Sequence, residues 1–460
     1  MSEIVNTAQK DPFWKKMLVI GALLLFMGIV VAYITGIIQE RSNYKQTAVE
    51  SISDGWGGSQ LIRGPVLLVP VETTVKQSNG KNMTYEELIN IAPVNVSITG
   101  KIIPDVRYKG IFKQPVYTTN LQIKGTFSGL NTYIQSLGVN PANVKWNKAN
   151  IVTGISDLKG IAKNITVKWN NKNKETFPGT CGQKSFNKGV CTPIEKVDNI
   201  NNFEISLTIK GSQFLKFLPL AKDTLLSLSS SWNNPSFIGN FLPIEKQVTK
   251  DGFNAKWNIS YLSTNIPKAW MDTSISDPAD NTYNTDYSSG EASSSEIEKS
   301  FNSNRYGVEL LVPVDNYRNT LRAVKYGMLF VIITFLVCFL FEVIGNYKIH
   351  PFQYTLIGLS MLIFYLLLLS FSEFINFGLA YIISGLATIA LITAYTHFVL
   401  VKTEKPMFTL TMGGILVSIY IYLYLLLQLQ DLSLLFGSIG IFILIAATMY
   451  ATRNVSWYKE

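Results

Sequence analysis

The sequence predicts a membrane protein with an α-helical transmembrane block of six spans, one followed by five, and a large, mainly β extracytoplasmic domain. Residues 17–38 contain no charged side chain, and five more long apolar stretches follow Tyr326. The polar segment 39–325 between them is long enough for a domain with its own core. A helix needs about 20 apolar residues to cross the ~30 Å hydrocarbon layer, and the apolar stretches are close to this length.

The first span, 17–38, follows a cytoplasmic N-terminus of residues 1–16. Basic residues precede it, as they precede a secretory signal, but the apolar run is longer than a usual signal and 34–38 offers no small-residue cleavage site. We therefore expect a retained anchor. Gly28, Ala32 and Gly36 recur on it at four-residue intervals, a pattern that favours close helix packing, here against the C-terminal block.

The domain, 39–325, is predicted to be mainly β because apolar and polar residues alternate in it. The clearest alternation covers 120–128, 203–209 and 253–261, and this period is typical of half-buried strands. Helices are predicted only over 129–137 and 213–228. The string Leu-Leu-Val-Pro-Val occurs at 67–71 and again at 310–314, which suggests two neighbouring strands with each proline at an edge or bulge. Segment 272–305, rich in Ser, Asp, Asn and Glu, is predicted to be a mobile loop.

Cys181 and Cys191 are the cysteines outside the predicted spans, whereas Cys338 lies inside the second span. A disulfide between the first two is expected if the domain faces an oxidising periplasm, and two free thiols are the alternative. The domain has no histidine to complete a zinc site with them.

The C-terminal block, 326–451, holds the predicted spans 327–344, 354–371, 377–401, 407–427 and 432–451, and a cytoplasmic tail follows at 452–460. Basic residues in short loops mark the cytoplasmic side. With a cytoplasmic N-terminus, that side carries Lys348, Lys402, Lys405, Arg453 and Lys459, while the loops 371–376 and 428–431 carry no basic residue. Arg318, Arg322 and Lys325, next to the external end of the second span, contradict the rule, although long translocated domains largely escape it.

Ionisable residues of the block lie near the ends of the predicted spans. Glu342, Asn346 and His350 occupy positions i, i+4 and i+8 and would share one face if the second span ran that far. This pattern suggests a proton relay, but Glu342 lies ~24 Å along a helix that starts near Tyr326, close to the cytoplasmic interface, where it can reach water. We therefore interpret the three as a polar face at the membrane interface.

The formal charge of +9 indicates an attraction to anions, but basic residues of the domain are scattered among Asn, Thr and Ser. This distribution argues against nucleic acid as a partner and favours the bilayer, with anionic lipid headgroups or surface polysaccharide. Arg318, Arg322 and Lys325 are the candidate seat of that attraction, and the alternative interpretation is a set of basic interfacial anchors.

The residue types exclude several kinds of chemistry. The two histidines, His350 and His397, both follow the domain, so the domain cannot form a Ser-His-Asp triad, a Cys-His pair or a histidine-ligated metal centre. No spacing singles out a Ser-Lys dyad, and no phosphate-binding or dinucleotide-binding motif occurs. We expect no catalytic residue, no cofactor and no metal.

Several strings resemble the inner membrane protein CreD family, most specifically in the C-terminal block and least between about 76 and 200. The strings are Arg63-Gly64-Pro65, Ser236-Phe237-Ile238-Gly239-Asn240-Phe241-Leu242-Pro243, 322–325, His350-Pro351-Phe352-Gln353-Tyr354, 362–369, Glu373, Thr452-Arg453-Asn454 and Trp457-Tyr458. The resemblance implies a bacterial inner membrane protein that is associated with cell-envelope integrity and colicin tolerance, in some bacteria under a two-component regulator. It implies no catalytic residue or ligand.

These observations together predict a multi-pass inner membrane protein that maintains the envelope without chemistry of its own. Its large domain would lie in the periplasm and meet an envelope protein, a lipid or a polysaccharide. The competing prediction is a transporter or channel for an envelope component. Transporters usually place ionisable groups or broken helices near the bilayer midplane, where this sequence has only Ser, Thr, Tyr and Gly among its polar residues.

Overall fold

The structure is a computed structural model that describes residues 13–76, 82–272, 296–311, 316–345, 349–400, 407–429 and 432–453. The chain divides into two compact units. Met1–Gln46 and Val314–Glu460 form one, which we name the helical unit, and Thr47–Pro313 form the other, which we name the β unit.

The helices confirm a membrane protein. Their bounds are α1 (Phe13–Trp56), α2 (Leu130–Ser136), α3 (Glu296–Ser303), α4 (Asn316–Gly345), α5 (Pro351–Ser372), α6 (Phe377–Leu400), α7 (Met407–Gln428) and α8 (Ser433–Thr452). Helices α1, α4, α5, α6 and α7 are long and apolar enough to cross a bilayer, whereas the apolar part of α8, Leu435–Tyr450, is shorter. The sixth span therefore remains a prediction.

Helix α1 extends well past the predicted anchor of 17–38. The residues after Ile38 are polar but contain no proline, and no glycine before Gly55, so nothing in them interrupts a helix. The helix ends where Gly57 and Gly58 adopt positive φ, and both of their N–H groups donate to the carbonyl of Ser53. The domain predicted to begin at residue 39 thus starts with a helix.

The β unit contains two sheets. Their strands are β1 (Gln60–Lys76), β2 (Asn82–Ile91), β3 (Asn95–Lys109), β4 (Phe112–Ser128), β5 (Ala149–Ile155), β6 (Thr166–Trp169), β7 (Lys172–Lys174), β8 (Phe177–Pro178), β9 (Gly189–Ile194), β10 (Ile200–Ser212), β11 (Phe214–Leu218), β12 (Asp223–Ser230), β13 (Pro235–Gly239), β14 (Glu245–Thr249), β15 (Gly252–Ser260), β16 (Ala269–Met271) and β17 (Tyr306–Leu310). These strands confirm the large β-rich domain that the alternating pattern predicts.

The chain passes several times between the two sheets. Sheet A has the order β13-β17-β11-β1-β5-β9-β8, with β2 beside β1 and β16 beside β2, and sheet B has the order β14-β15-β12-β3-β4-β10-β6-β7. Most neighbours are antiparallel, but β1 pairs in parallel with β11, and β12 with β3. Parallel neighbours need long connections, and here those connections contain strands of both sheets.

Strand β1 is buried on both faces, which explains its unbroken apolar run. Leu67 and Val69 point into a core shared by the two sheets, whereas Val66 and Leu68 point into a second core that includes Phe301 of α3. Consecutive strand residues face opposite sides, so a strand covered on both sides needs apolar residues throughout.

Sheet B shows the contrasting pattern. In β15 the buried Ala255, Trp257 and Ile259 alternate with exposed polar residues, and β3 alternates in the same way over its first half. One face of sheet B therefore meets the shared core, and the other meets solvent.

The helix predicted over 213–228 is wrong, because this segment forms β11 and β12. Leu215 and Phe217 are alternate residues of β11 and reach the shared core. Pro219 lies between the two strands and would interrupt a helix there. Pairing of β11 with both β1 and β17 outweighs the helical preference of the leucine-rich sequence.

The two copies of Leu-Leu-Val-Pro-Val do not form neighbouring strands, so that prediction is also wrong. The first lies inside β1, where Pro70 comes just after Leu68, the last β1 residue paired with β5. The second begins at Leu310, the end of β17, and β11 separates β17 from β1. Residues 312–314 lie outside the described residues.

The mobile loop predicted over 272–305 is wrong at its two ends. Asp272 is buried, α3 occupies Glu296–Ser303, and the ring of Phe301 packs edge-on against Trp270 with centroids 5.7 Å apart. The side chain of Asn304 donates to the carbonyl of Thr264 at 2.6 Å. A few anchoring side chains thus order polar stretches, while residues 273–295 lie outside the described residues.

Candidate functional site

Glu342, in the last turn of α4, joins three helices of the helical unit. Its carboxylate is only 9% exposed and forms an ion pair with Lys16 of α1. The Tyr354 hydroxyl of α5 donates to the same carboxylate at 3.4 Å, as does the backbone N–H of Ile349 at 3.4 Å. Glu342 therefore does not extend to water as predicted. We name this group the Glu342 clamp.

Glu373, which follows α5, forms a matching group at the other end of the same helices. Its carboxylate is 6% exposed and lies 3.1 Å from Nη2 of Arg41 on α1. The Tyr317 hydroxyl, in the first turn of α4, donates to it at 2.8 Å. The side-chain amide of Asn316 also donates to the carbonyl of Ser372. We name this group the Glu373 clamp.

The two clamps hold α1 and α4 antiparallel and in register. Lys16 and Arg41 of α1 are separated by the same number of residues as Tyr317 and Glu342 of α4, about 37 Å in each helix. This distance exceeds the ~30 Å thickness of the hydrocarbon layer. The clamps therefore fit the two borders of a bilayer, where charged groups are tolerated.

Glu342 and His350 do not share the predicted helix face, because His350 has an extended backbone and is the N-cap of α5. His350 instead caps the start of α5. Its Nδ1 accepts from the backbone N–H of Phe352 at 3.2 Å, and the backbone N–H of His350 donates to the side chain of Gln353 at 2.9 Å. Asn346 lies outside the described residues. His350 therefore stabilises the start of a helix and does not form part of a proton relay with Glu342.

The predicted packing stripe of Gly28, Ala32 and Gly36 is also wrong. A Cβ added to Gly28 or Gly36 would meet no atom within 4 Å, and Ala32 is exposed. The buried face of α1 carries Met27, Ile34 and Ile38, about 80° or more around the helix from the stripe.

One glycine that admits close packing is Gly358 of α5. A Cβ there would lie 2.9 Å from Phe335 of α4 and 3.1 Å from the sulfur of Met27 of α1. Helices α1, α4 and α5 therefore meet at mid-length as well as at the clamps. The sequence signal was weak because Gly358 has no small partner four residues away.

The basic residues at the start of α4 take no part in the Glu373 clamp. Arg318 and Lys325 are exposed, and Arg322 is half-buried. Among the described residues, Nη2 of Arg322 is buried without a hydrogen-bond partner.

The β unit contains a buried polar cluster that the sequence did not indicate. The carboxylate of Asp272 accepts from the Asn90 side chain at 3.0 Å, from the Lys184 backbone at 2.7 Å and from the Ser185 hydroxyl at 3.2 Å. The Trp270 indole donates to Ser185 at 3.3 Å. These contacts fix the segment before β9 to strands β2 and β16, which are distant in sequence.

Cys181 and Cys191 are joined in a disulfide that closes this same segment. Non-reducing mass mapping of protein from intact envelopes should find this bond and a free Cys338. We expect Cys181→Ser with Cys191→Ser to lower the free energy of unfolding of the β unit by about 3 kcal/mol, because the bridge restricts the unfolded chain. Two thiols of the β unit that alkylate before reduction would contradict this prediction, and Cys338→Ser is the control for loss of a thiol alone.

Charged pairs of the β unit lie at its surface. Nζ of Lys145 lies 2.7 Å from Glu72, and this contact lowers the pKa of Glu72 and raises the pKa of Lys145. Hydrogen bonds from Gln122 and Lys124 lower the pKa of Glu204. Exposed pairs of this kind contribute little to stability. The described residues contain no group of three or more metal-ligating side chains.

Comparison with known proteins gives one clear relationship. The family described as "Inner membrane protein CreD" matches residues 12–458. The inner membrane protein CreD of Escherichia coli strain K12 is 29% identical over 459 residues, which cover 98% of this chain and 94% of that protein. Among solved structures, an M1 zinc metallopeptidase from Deinococcus radiodurans with a bound Tyr-Ser-Ala substrate aligns with 38% of this chain and 39% of its own, at 5% identity and a TM-score of 0.17, too low to indicate a shared fold.

Proposed function

This chain belongs to the inner membrane protein CreD family, and from that premise we propose a non-enzymatic membrane scaffold that maintains cell-envelope integrity. In this proposal the helical unit anchors the protein, and the β unit lies in the periplasm and meets an envelope partner. That partner is an envelope protein, a lipid or a polysaccharide.

The observation that carries the proposal is that both buried acidic groups, Glu342 and Glu373, are bound by side chains of neighbouring helices. Glu342 and Glu373 are each occupied by a basic residue of α1 and a tyrosine of a neighbouring helix. Both groups lie at helix ends, and the apolar run 17–38 between the basic residues has no charged side chain. Carriers coupled to protons or ions usually keep ionisable groups or broken helices near the midplane, so the clamps suit a fixed assembly better than a transport path.

The distribution of basic residues in the loops of the helical unit supports a periplasmic location for the β unit. Lys402, Lys405 and Arg453 lie on the side predicted to be cytoplasmic, and short loops on the opposite side lack basic residues. The solvent-facing side of sheet B, which carries Asn, Thr, Gln and Lys, gives the β unit a broad polar surface for a partner.

One observation favours a carrier as the second candidate. Among the described residues of the helical unit, four buried hydroxyl oxygens have no hydrogen-bond partner, those of Thr334, Ser384, Thr393 and Thr409. Buried hydroxyls are usually bonded, so such groups are available to a polar solute. Substrate-dependent flux in proteoliposomes would favour the carrier.

A paired substitution separates the two functions. In a strain that lacks the chromosomal copy, we expect Lys16→Met with Glu342→Gln to restore growth on detergent as the wild type does, because removing both charges leaves no lone buried charge. Growth and membrane abundance are measured together, with Lys15→Met as the control for the neighbouring exposed lysine. Loss of growth at normal abundance would indicate that the carboxylate of Glu342 has a functional role, as in a proton-coupled carrier.

The topology is testable with reporter fusions. Alkaline phosphatase is active only after export, so a fusion after Lys148, in the β unit, should be active and a fusion after Glu460 should be inactive. The amount of each fusion protein is measured by immunoblot as the control. Active phosphatase after Glu460 would contradict the six-span arrangement.

A further inference from the structure

The first turns of α4 carry a basic stripe composed of Arg318, Arg322 and Lys325. At 100° per residue these side chains fall within about 60° of one another around the helix. No acidic residue occurs between Asn316 and Lys325. Within these turns of α4 the stripe is therefore purely basic, and the nearest acidic residue in the sequence, Asp315, directly precedes the helix.

The stripe lies away from the packed side of α4. The buried residues Tyr317, Thr320, Ala323 and Val324 occupy the other flank, and Arg322 is the half-buried member of the stripe. Nη2 of Arg322 is buried and has no hydrogen-bond partner in the described part of the chain. A buried guanidinium N–H that lacks an acceptor costs free energy, so this position favours an anion.

The clamps determine the depth of the stripe. Tyr317 and Arg41 bind the same carboxylate, so they lie at one level, and the apolar run of α1 ends at Ile38, about 4.5 Å below Arg41. Along the axis of α4, the Cα atom of Arg322 lies about 7.5 Å below that of Tyr317, and the Cα atom of Lys325 lies about 12 Å below it. Both Cα atoms are thus below the apolar border, and their long side chains reach back to the level of lipid phosphates.

The surface below the stripe is apolar. Ile332 lies seven residues after Lys325, on nearly the same flank of α4, and is exposed. A ligand on this flank would meet positive charge at its polar end and hydrocarbon beyond it. That combination fits a lipid and does not fit a free phosphate ion, which has no apolar part.

We propose that Arg318, Arg322 and Lys325 bind the phosphate of an anionic phospholipid in the leaflet at the Glu373 clamp, with an acyl chain along Ile332. Glu373 does not compete for the stripe, because Arg41 and Tyr317 occupy its carboxylate. The proposal is independent of the proposed function, since a scaffold and a carrier could both hold such a lipid.

The test counts lipids bound to the full-length protein. Delipidated protein in detergent is titrated with dioleoyl phosphatidylglycerol or dioleoyl phosphatidylcholine, and native mass spectrometry measures the occupancy of the tightest site. We expect wild-type protein to prefer phosphatidylglycerol, and the triple variant Arg318→Gln, Arg322→Gln, Lys325→Gln to bind it on the order of 100-fold more weakly, about fivefold for each basic residue near a bilayer surface. Arg453→Gln is the matched control, because Arg453 is exposed at the other end of the block. It should bind as the wild type does.

Three results would overturn the proposal. These are unchanged phosphatidylglycerol binding in the triple variant, equal binding of phosphatidylcholine by the wild type, and displacement of phosphatidylglycerol by millimolar inorganic phosphate, which would assign the stripe to a free anion. If the triple variant fails to fold, the exposed single variants Arg318→Gln and Lys325→Gln decide the question. Each should lose about fivefold in affinity, whereas Arg318→Lys should lose little.

Discussion

Replacement of Arg41 by methionine should destabilise the helical unit more than replacement of Glu373 by glutamine. Without Arg41 the carboxylate of Glu373, which is 6% exposed, loses its ion pair and keeps the hydrogen bond from the Tyr317 hydroxyl. We expect this variant to lose about 2–4 kcal/mol in free energy of unfolding, because an uncompensated buried charge is costly. Glu373→Gln leaves Arg41, which is 45% exposed and can be solvated, so about 1–2 kcal/mol is expected.

The measurement is a double-mutant cycle on the full-length protein, unfolded by SDS in mixed micelles. The double variant Arg41→Met with Glu373→Gln should be more stable than Arg41→Met alone, and the coupling energy should be about 1–2 kcal/mol. Glu40→Gln is the matched control, since Glu40 neighbours Arg41 on α1 and is exposed. A coupling energy near zero would show that the ion pair does not hold α1 to the other helices.

Replacement of Gly358 by leucine should strongly disrupt the packing of α5 against α1 and α4. Its Cβ alone would lie 2.9 Å from Phe335 and 3.1 Å from the Met27 sulfur, and the remaining leucine atoms need further space. We expect a loss of about 3 kcal/mol and a lower membrane abundance, because overpacking separates α1 and α4 from α5. Both quantities are measurable by the same SDS titration and by immunoblot of membranes.

Two matched controls test this interpretation. Gly28→Leu and Gly36→Leu change the same residue type on α1, where an added Cβ meets nothing within 4 Å, so each should change stability by less than about 0.5 kcal/mol. Met27→Ala in the Gly358→Leu background should recover part of the loss by making room. Equal damage from Gly36→Leu and Gly358→Leu would instead support the glycine stripe as the packing surface.

Prediction from the sequence succeeded where one strong physical pattern decided the structure. The apolar stretches from 17–38 onward form helices because a chain in hydrocarbon must satisfy its backbone hydrogen bonds internally. Alternation in 120–128 and 253–261 gave strands because one face of sheet B is buried and the other is solvated. The family resemblance was likewise carried by short strings and is confirmed across residues 12–458.

Prediction failed where distant partners decided the outcome. The segment 213–228 has a helical composition, yet pairing with β1 and β3 makes it two strands. Likewise the roles of Glu342 and Glu373 depend on Lys16 and Arg41, and no local rule links residues more than 300 positions apart. The small-residue stripe of α1 was misleading because spacing identifies a face of a helix but not the neighbour that covers it.

The sequence alone determined which segments enter a bilayer and which form strands with one solvated face. It also determined that the domain, which has no histidine, lacks histidine-dependent catalysis and histidine-ligated metal centres. Only the tertiary structure decided which side chains meet, because each clamp joins α1, α4 and one of the two ends of α5, and helix register sets these contacts. Partition between water and hydrocarbon is summed residue by residue along the chain, so composition reveals it. Close packing and ion pairing depend on ångström-scale distances between segments remote in sequence, which composition does not encode.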